Sequence, residues 1–255
     1  MRIALGLEYK GTNYHGWQRQ DGLATVQGEV EQALSQVADH NVEVFCAGRT
    51  DVGVHAKGQV IHFDTEAKRK LDAWVSGGNS YLPHDISILW AKEVDAEFHA
   101  RFSAMARNYR YLIYNYKIRS ALYADQVAWH VKELDEKRML EAAQYLIGEH
   151  DFSSFRGCDC QAKTPMRNVQ QIKIKRQNRL IILDIKANAF LMHMVRNIAG
   201  LLMAIGGHKQ EPIWAKQVLE ACDRRVAGIT APACGLYLTR VHYPDKYDWL
   251  KWSIK

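Results

Sequence analysis

The chain has 255 residues, 47% of them hydrophobic and 24% charged, so it can bury a sizeable interior and is neither a disordered nor a fibrous sequence. Its formal charge of +6 and pI near 9.0 favour a polyanionic partner without requiring one. Five scattered cysteines exclude a disulfide scaffold, and the one close pair, Cys158 and Cys160, lacks the spacing and the second pair that a structural zinc needs, so we expect reduced thiols and no metal. In chain order, alternation over Arg2 to Tyr9 predicts a strand directly after Met1, and we expect no targeting segment. A loop rich in glycine and aromatics follows through Trp17. Val30, Leu34 and Val37 share a stripe that predicts a helix over Val26 to Ala38, with Thr25 as its N-cap. Strands are predicted at Val42 to Cys46 and Gln59 to Asp64, a helix at Leu71 to Tyr81 and a strand at Ile86 to Glu93.

That order is a split βαβ unit, and the second half repeats the plan. It has a strand at Arg107 to Tyr116, a helix at Asp135 to Ile147, strands at Val169 to Arg176 and Arg179 to Ala187, a helix at Leu191 to Ile205 and a last strand at Gly235 to Val241. An extra helix is predicted near Ile213 to Ala221, and Gly148 to Arg167 reads as a long loop. The expected architecture is therefore α+β: two ferredoxin-like lobes, residues 1–104 and 105–255, sharing an extended, largely antiparallel sheet with a basic central cleft. The most apolar late stretch is interrupted by His193 and Arg196, so no membrane segment is expected.

Basic residues gather at Arg101, Arg107, Arg110, Lys117 and Arg119, and again from Lys163 through Arg167, Lys173, Lys175, Arg176 and Arg179. Phe98, Phe102, Tyr109, Tyr111, Tyr114 and Tyr116 run through the first cluster, offering flat faces for bases beside cations for phosphates. An ordinary half-buried strand explains Arg107 to Tyr116 equally well, and both readings can hold on opposite faces.

The most informative stretch is Ala47 to Phe63, polar and glycine-rich between two strand-like segments. Gly48, Gly53 and Gly58 let the backbone fold closely around Asp51, and Arg49, two residues away, can hold that carboxylate ionised. The segment is either an active-site loop or a long hairpin whose turn uses Gly and Asp. Arg196 poses a second question, because the run from Phe190 to Leu202 reads as a core-facing helix. A cation there either snorkels to solvent or pairs with a carboxylate.

Gly48-Arg49-Thr50-Asp51-Val52-Gly53-Val54-His55-Ala56 closely resembles the signature of the tRNA pseudouridine synthase A family, departing from it only at Val52, where the family usually has Ala. Further segments resemble the family in the same order, from Tyr9-Lys10-Gly11-Thr12-Asn13-Tyr14-His15-Gly16-Trp17 to Pro232-Ala233-Cys234-Gly235-Leu236. The resemblance implies the pseudouridine synthase fold and an isomerase that makes pseudouridine at positions 38, 39 and 40 of the tRNA anticodon stem-loop. It implies a cytoplasmic homodimer that uses no cofactor and flips the target base out of its stack. Asp51 is then the nucleophile. Arg196, in a stretch like the family's second signature, pairs with it. Tyr109, in an Arg107-Asn108-Tyr109-Arg110-Tyr111 strand like the family's Tyr-x-Tyr motif, stacks on the uracil and serves as general acid or base, and Leu236 is the aliphatic wall. Phe98, His99, Ala100, Arg101 and Phe102, together with Asp159, Cys160, Gln161, Ala162 and Lys163, match family segments that touch tRNA. Arg107 and Arg110 are expected to do the same, while Asn108 stands where the motif often has Arg.

Overall fold

The computed structural model describes residues 1–250, with side chains through Tyr247. Contacts divide the chain into two compact units: residues 1–105 with the segment from Leu238 onward, and residues 106–237. The sequence reading placed a single division at 104 and 105, whereas the chain returns to the first unit inside its last strand.

Unit 1 contains strands β1 (Arg2–Tyr9), β2 (Phe45–Cys46), β3 (His55–Asp64) and β4 (Ile86–Val94), with helices α1 (Val26–Ala38) and α2 (Leu71–Tyr81). β1 lies between β3 and β4, antiparallel to both, and β2 pairs antiparallel with β3, which is the order of a split βαβ unit. β1 forms the centre because Ile3, Leu5 and Leu7 on one face and Ala4 on the other are all inaccessible to solvent. α1 starts where the Thr25 hydroxyl accepts the Gly28 N–H at 3.3 Å, and it ends on Asp39 in the left-handed region at φ 59°.

The strand expected over Val42 to Cys46 is reduced to Phe45–Cys46. α1 explains the loss: the Ser35 hydroxyl takes the Val42 N–H at 2.9 Å and the Glu31 carboxylate takes the Val44 N–H at 3.0 Å, so two donors are diverted from the sheet. β3, by contrast, begins four residues before its expected start, so the second half of the glycine-rich signature is strand rather than loop. Gly58 belongs there because a Cβ would lie 2.4 Å from the Thr239 carbonyl.

Unit 2 contains β5 (Ala106–Asn115), β6 (Ala128–His130), β7 (Gly148–Asp151), β8 (Met166–Gln177) and β9 (Leu180–Ala187). Its helices are α3 (Glu136–Gln144), α4 (Met194–Gly206) and α5 (Trp214–Ala221), and its last residues open strand β10 (Leu236–His242). β5, β9, β8 and β7 pair antiparallel in that order, so β5, β9 and β8 repeat the relation of β1, β3 and β2, while β6 runs parallel to β5. Tyr109, Tyr111 and Ile113 point into the core and Asn108, Arg110, Leu112 and Tyr114 are half-buried, so the two faces of β5 do differ in character.

Gly148 to Arg167 is not one long loop. It holds β7, a 3-10 turn at Ser153–Phe155 and the first residues of β8. Phe152 and Phe155 are fully buried, each worth about 2 kcal/mol, and they anchor a segment whose polar composition hid them. α4 starts at Met194 rather than Leu191 because His193 takes a left-handed conformation, φ 60°, at its N-cap. Both units are thus α+β with largely antiparallel sheets. Among the described residues no helix is long and apolar enough to cross a membrane.

Candidate active site

In unit 1 the residues between β2 and β3 form a tight turn around Asp51. The Asp51 carbonyl accepts the Val54 N–H at 3.1 Å, and Gly53, at φ 74°, supplies the left-handed residue that closes the turn. Thr50 is buried beneath it. Its hydroxyl is 2.8 Å from the Tyr9 hydroxyl, and its carbonyl accepts the Trp17 N–H at 3.0 Å. Gln59 donates to the Gly48 carbonyl at 2.6 Å, and Ala47 pairs with Val60 at 2.8 Å, so both arms of the loop are tied to β3. Asp51 itself is half-buried, with Val52 and Arg49 exposed on either side.

The stretch from Tyr9 to Trp17 braces the far side of this turn. A Cβ on Gly11 would lie 2.0 Å from the Val54 carbonyl, and Gly11 N–H donates to His55 Nδ1 at 3.0 Å. Gly16, at φ 84°, would place a Cβ 2.8 Å from the Thr50 carbonyl. Only glycine permits this approach, and the reward is a carboxylate whose backbone is fixed on both sides. Tyr9, Gly11, Gly16, Trp17, Thr50 and Gln59 are therefore positioning residues that reasoning centred on Asp51 missed. The glycine and aromatic composition of Tyr9 to Trp17 was the available signal.

The segment from Phe98 to Phe102 also lies in unit 1. Phe98 and Ala100 are fully buried and His99 is half-buried, so the surface this segment presents consists of Arg101 and Phe102. Burial holds the Cys46 thiol up at about 12, with the nearby guanidinia of Arg49 and Arg101 opposing that shift, so Cys46 is a neutral neighbour of the loop.

In unit 2, Tyr109 is nearly buried in β5, opposite Ile185, with the Phe190 ring edge-on at 5.0 Å and 79°. Arg196 is half-buried on α4. Its Nε donates to the Ala231 carbonyl at 2.9 Å, and the Ala231 N–H returns to the Arg196 carbonyl at 3.1 Å. The close approach is made possible by Gly200, where a Cβ would lie 1.8 Å from the Ile229 carbonyl. Burial pushes the Tyr111 hydroxyl well above its ordinary range, with the Arg196 charge opposing that shift. Tyr111 is thus a neutral donor, and it holds the Pro232 carbonyl at 2.8 Å. That bond and Gly235, packed against Leu112 and Tyr111, set the turn from which Leu236 enters β10, itself 5% exposed.

Arg107 and Arg110 are engaged within unit 2. Arg110 forms a two-pronged ion pair with Asp184 at 2.7 and 3.0 Å, and Arg107 donates to the Asn188 carbonyl at 3.0 Å. Asp159 to Lys163 wraps around Arg156, which donates to the carbonyls of Cys160 and Ala162 at 2.5 and 2.9 Å. Asp159, Gln161 and Lys163 are exposed, while Cys160 and Ala162 are half-buried. Burial would raise the Cys160 thiol, but backbone donors from Ala162 and Met192 together with Arg156 hold it below its ordinary value.

In unit 1 a carboxylate sits on a turn braced from both sides, with a guanidinium two residues away, an arrangement suited to nucleophilic or acid-base work. A sequence model of the family described as tRNA pseudouridine synthase matches residues 7–103 and 142–244. The tRNA pseudouridine synthase A of Coxiella burnetii (strain Dugway 5J108-111) is 61% identical over 246 residues, covering 96% of this chain and 94% of that protein. The Pseudomonas aeruginosa PAO1 protein of the same name is 58% identical, covering 97% and 87%, and that of Vibrio vulnificus (strain YJ016) is 55% identical, covering 100% and 96%. With the signature turn around Asp51, the family match on both halves and this level of identity, the chain belongs to the tRNA pseudouridine synthase A family of isomerases.

Proposed function

We propose that this protein isomerises uridine to pseudouridine at positions 38, 39 and 40 of the tRNA anticodon stem-loop, with Asp51 as nucleophile and the target nucleotide flipped out of its stack. The reaction breaks the bond between ribose C1′ and uracil N1, turns the base while it stays bound, and joins C1′ to uracil C5. The proton leaving C5 is replaced by one at N1, so no atom is lost and no oxidant or phosphate donor is consumed. A carboxylate suits this sequence because it can attack or deprotonate the nucleoside and then depart. The observation that carries the proposal is the brace around Asp51: Thr50, Gln59, Gly11 and Gly16 hold its backbone from both sides.

The other roles follow from the chemistry. Tyr109 provides a ring for the extruded uracil and a hydroxyl for proton transfer, Leu236 an aliphatic surface for the opposite face, and Arg196 a cation that the reaction depends on. Arg49 supports the Asp51 carboxylate. Arg101, Phe102, Asp159, Gln161 and Lys163, exposed as they are, make the outer contacts with tRNA. Family membership supports a cytoplasmic homodimer as the working form, which sedimentation velocity checks directly.

Release of the C5 proton tests the reaction. With full-length tRNA tritiated at uracil C5, tritium is expected in water, with the RNA chain intact and no free uracil. Liberated uracil would make the enzyme an N-glycosidase, and RNA binding without tritium release would make it a binding module. The brace is tested by Gly11→Ala, whose Cβ must displace the Val54 carbonyl three residues from Asp51. Turnover is expected to fall about 10- to 100-fold with tRNA affinity nearly unchanged, the cost of moving a reacting group by about 1 Å. Unaltered turnover would show that the loop is not held by this contact.

A further inference from the structure

Asn197, directly after Arg196 on α4, is only 1% exposed, and a buried amide has to find partners for both of its ends. Its Nδ2 donates to the Phe155 carbonyl at 2.8 Å, while its Oδ1 accepts the Thr230 hydroxyl at 2.6 Å and Arg224 Nη2 at 3.1 Å. The amide has only this orientation, because a carbonyl cannot donate and a guanidinium cannot accept. Arg224 closes the triangle. Its Nη2 also donates to the Thr230 hydroxyl at 2.8 Å, and its Nη1 holds the Gly228 carbonyl at 2.8 Å.

Thr230 is the residue before Ala231, whose carbonyl takes the Arg196 Nε–H at 2.9 Å and whose N–H returns to the Arg196 carbonyl at 3.1 Å. Arg196 with Ala231 and Asn197 with Thr230 are therefore two successive ties between α4 and one stretch of backbone. Before it, the Asp223 N–H donates to the buried Ser154 hydroxyl at 2.8 Å, and after it the Tyr111 hydroxyl holds the Pro232 carbonyl at 2.8 Å. The Ala231 carbonyl is fixed from both directions. A hydrogen bond at Nε sets the plane in which a guanidinium lies, so whatever fixes that carbonyl also aims the charge. Apolar side chains would cover α4 as well as these groups do, but they would let Thr230 slide along it. Directed bonds to one buried amide do not.

We propose that Thr230, Asn197 and Arg224 are positioning residues that hold the Ala231 carbonyl in place and so aim the Arg196 guanidinium for the isomerisation. This rests on the role given to Arg196 above. Arg224 and Thr230 lie 27 and 33 residues beyond Asn197, in the connection between α5 and β10. The triad acts through Arg196 and not on the RNA, so its loss falls on the chemical step rather than on binding.

The test uses the full-length chain and three readouts: single-turnover tritium release from tRNA labelled at uracil C5, tRNA affinity by anisotropy, and hydrogen exchange at the Arg196 Nε–H. The last is read by NMR on protein carrying isotope-labelled arginine, with Arg196→Met identifying the resonance. Thr230→Val replaces the hydroxyl by a methyl of similar size. It is expected to slow release about 10-fold with Kd unchanged, and to speed Nε–H exchange by a similar factor. Thr230→Ser keeps the hydroxyl and is expected to recover most of both losses. In an Arg196→Met background Thr230→Val is expected to add less than about two-fold, because nothing is left to aim. The same loss in both backgrounds would reduce the triad to general support of the fold and overturn the proposal. Wild-type release by Thr230→Val, a loss confined to Kd, or a Thr230→Ser as slow as Thr230→Val would overturn it as well. If Thr230→Val does not fold, Arg224→Met removes another corner of the triangle and goes through the same cycle. No tritium release by the wild type, or normal turnover by Arg196→Met, would be a failure of the proposed function instead. Exchange at the Nε–H in the same variants then still decides whether the triad holds the guanidinium, and unchanged exchange would overturn that.

Discussion

Asp51→Asn is expected to bind tRNA as tightly as the wild type and to turn over at least about 10^3-fold more slowly. The substitution is close to isosteric, and the groups that fix this turn do not depend on the charge. The Thr50 hydroxyl meets the Tyr9 hydroxyl and its carbonyl accepts the Trp17 N–H, the Gln59 amide donates to the Gly48 carbonyl, and the Val54 N–H donates to the Asp51 main-chain carbonyl. The geometry therefore persists, while a neutral amide can neither attack C1′ or C6 nor take a sugar proton. Single-turnover tritium release with enzyme in excess, alongside anisotropy, separates the two quantities. Appreciable turnover would remove Asp51 from the nucleophile role, whereas a collapse of affinity would mean that the variant reports on folding of the loop.

Arg196→Met is expected to lower kcat about 10^2- to 10^3-fold, the range seen when one preorganised electrostatic group is removed from a reacting centre. The aliphatic stem is kept, so packing on α4 changes little. The Ala231 carbonyl does lose its bond from Nε, but Ala231 is still tied to α4 through its own N–H. Lys173→Gln and Lys175→Gln are the contrast. Both lysines are exposed on β8, and their loss is expected to weaken binding by a few-fold, to flatten its salt dependence and to fall on KM. Equal losses of kcat in all three variants would deny Arg196 a special role. If Asp51 and Arg196 act as a unit, Arg196→Met adds little to the slow residual turnover of Asp51→Asn, and a double-mutant cycle measures that coupling.

Much of the fold could be read where periodicity was long and uninterrupted. α1 and α2 fall on their predicted residues, and α1 carries an apolar stripe with Thr25 as its cap. The signal failed where one element's side chains act on another's backbone. Nothing local in Val42 to Cys46 shows that Ser35 and Glu31, on the preceding helix, take its donors. In Gly148 to Arg167, two buried phenylalanines are outnumbered by polar neighbours. The functional loop was legible because its composition is unusual, but its support was not. Gly11 and Gly16 matter through the distance from a missing Cβ to a carbonyl some 35 to 45 residues away in sequence, which no periodicity records.

The return of the chain to unit 1 at Leu238 bears on the order in which the protein can be made. Unit 2 is continuous, and all of its residues have been synthesised once Tyr237 is in place. Unit 1 is not complete until the last strand arrives. Thr239 closes over Gly58, the His242 carbonyl accepts the Met105 N–H at 2.8 Å, and the hydroxyls of Tyr243 and Tyr247 hold Ala100 and Asp95. On the ribosome, the half that carries the Asp51 turn is begun first and finished last, so an incomplete chain can hold a folded unit 2 beside a first unit still missing the strand that covers Gly58.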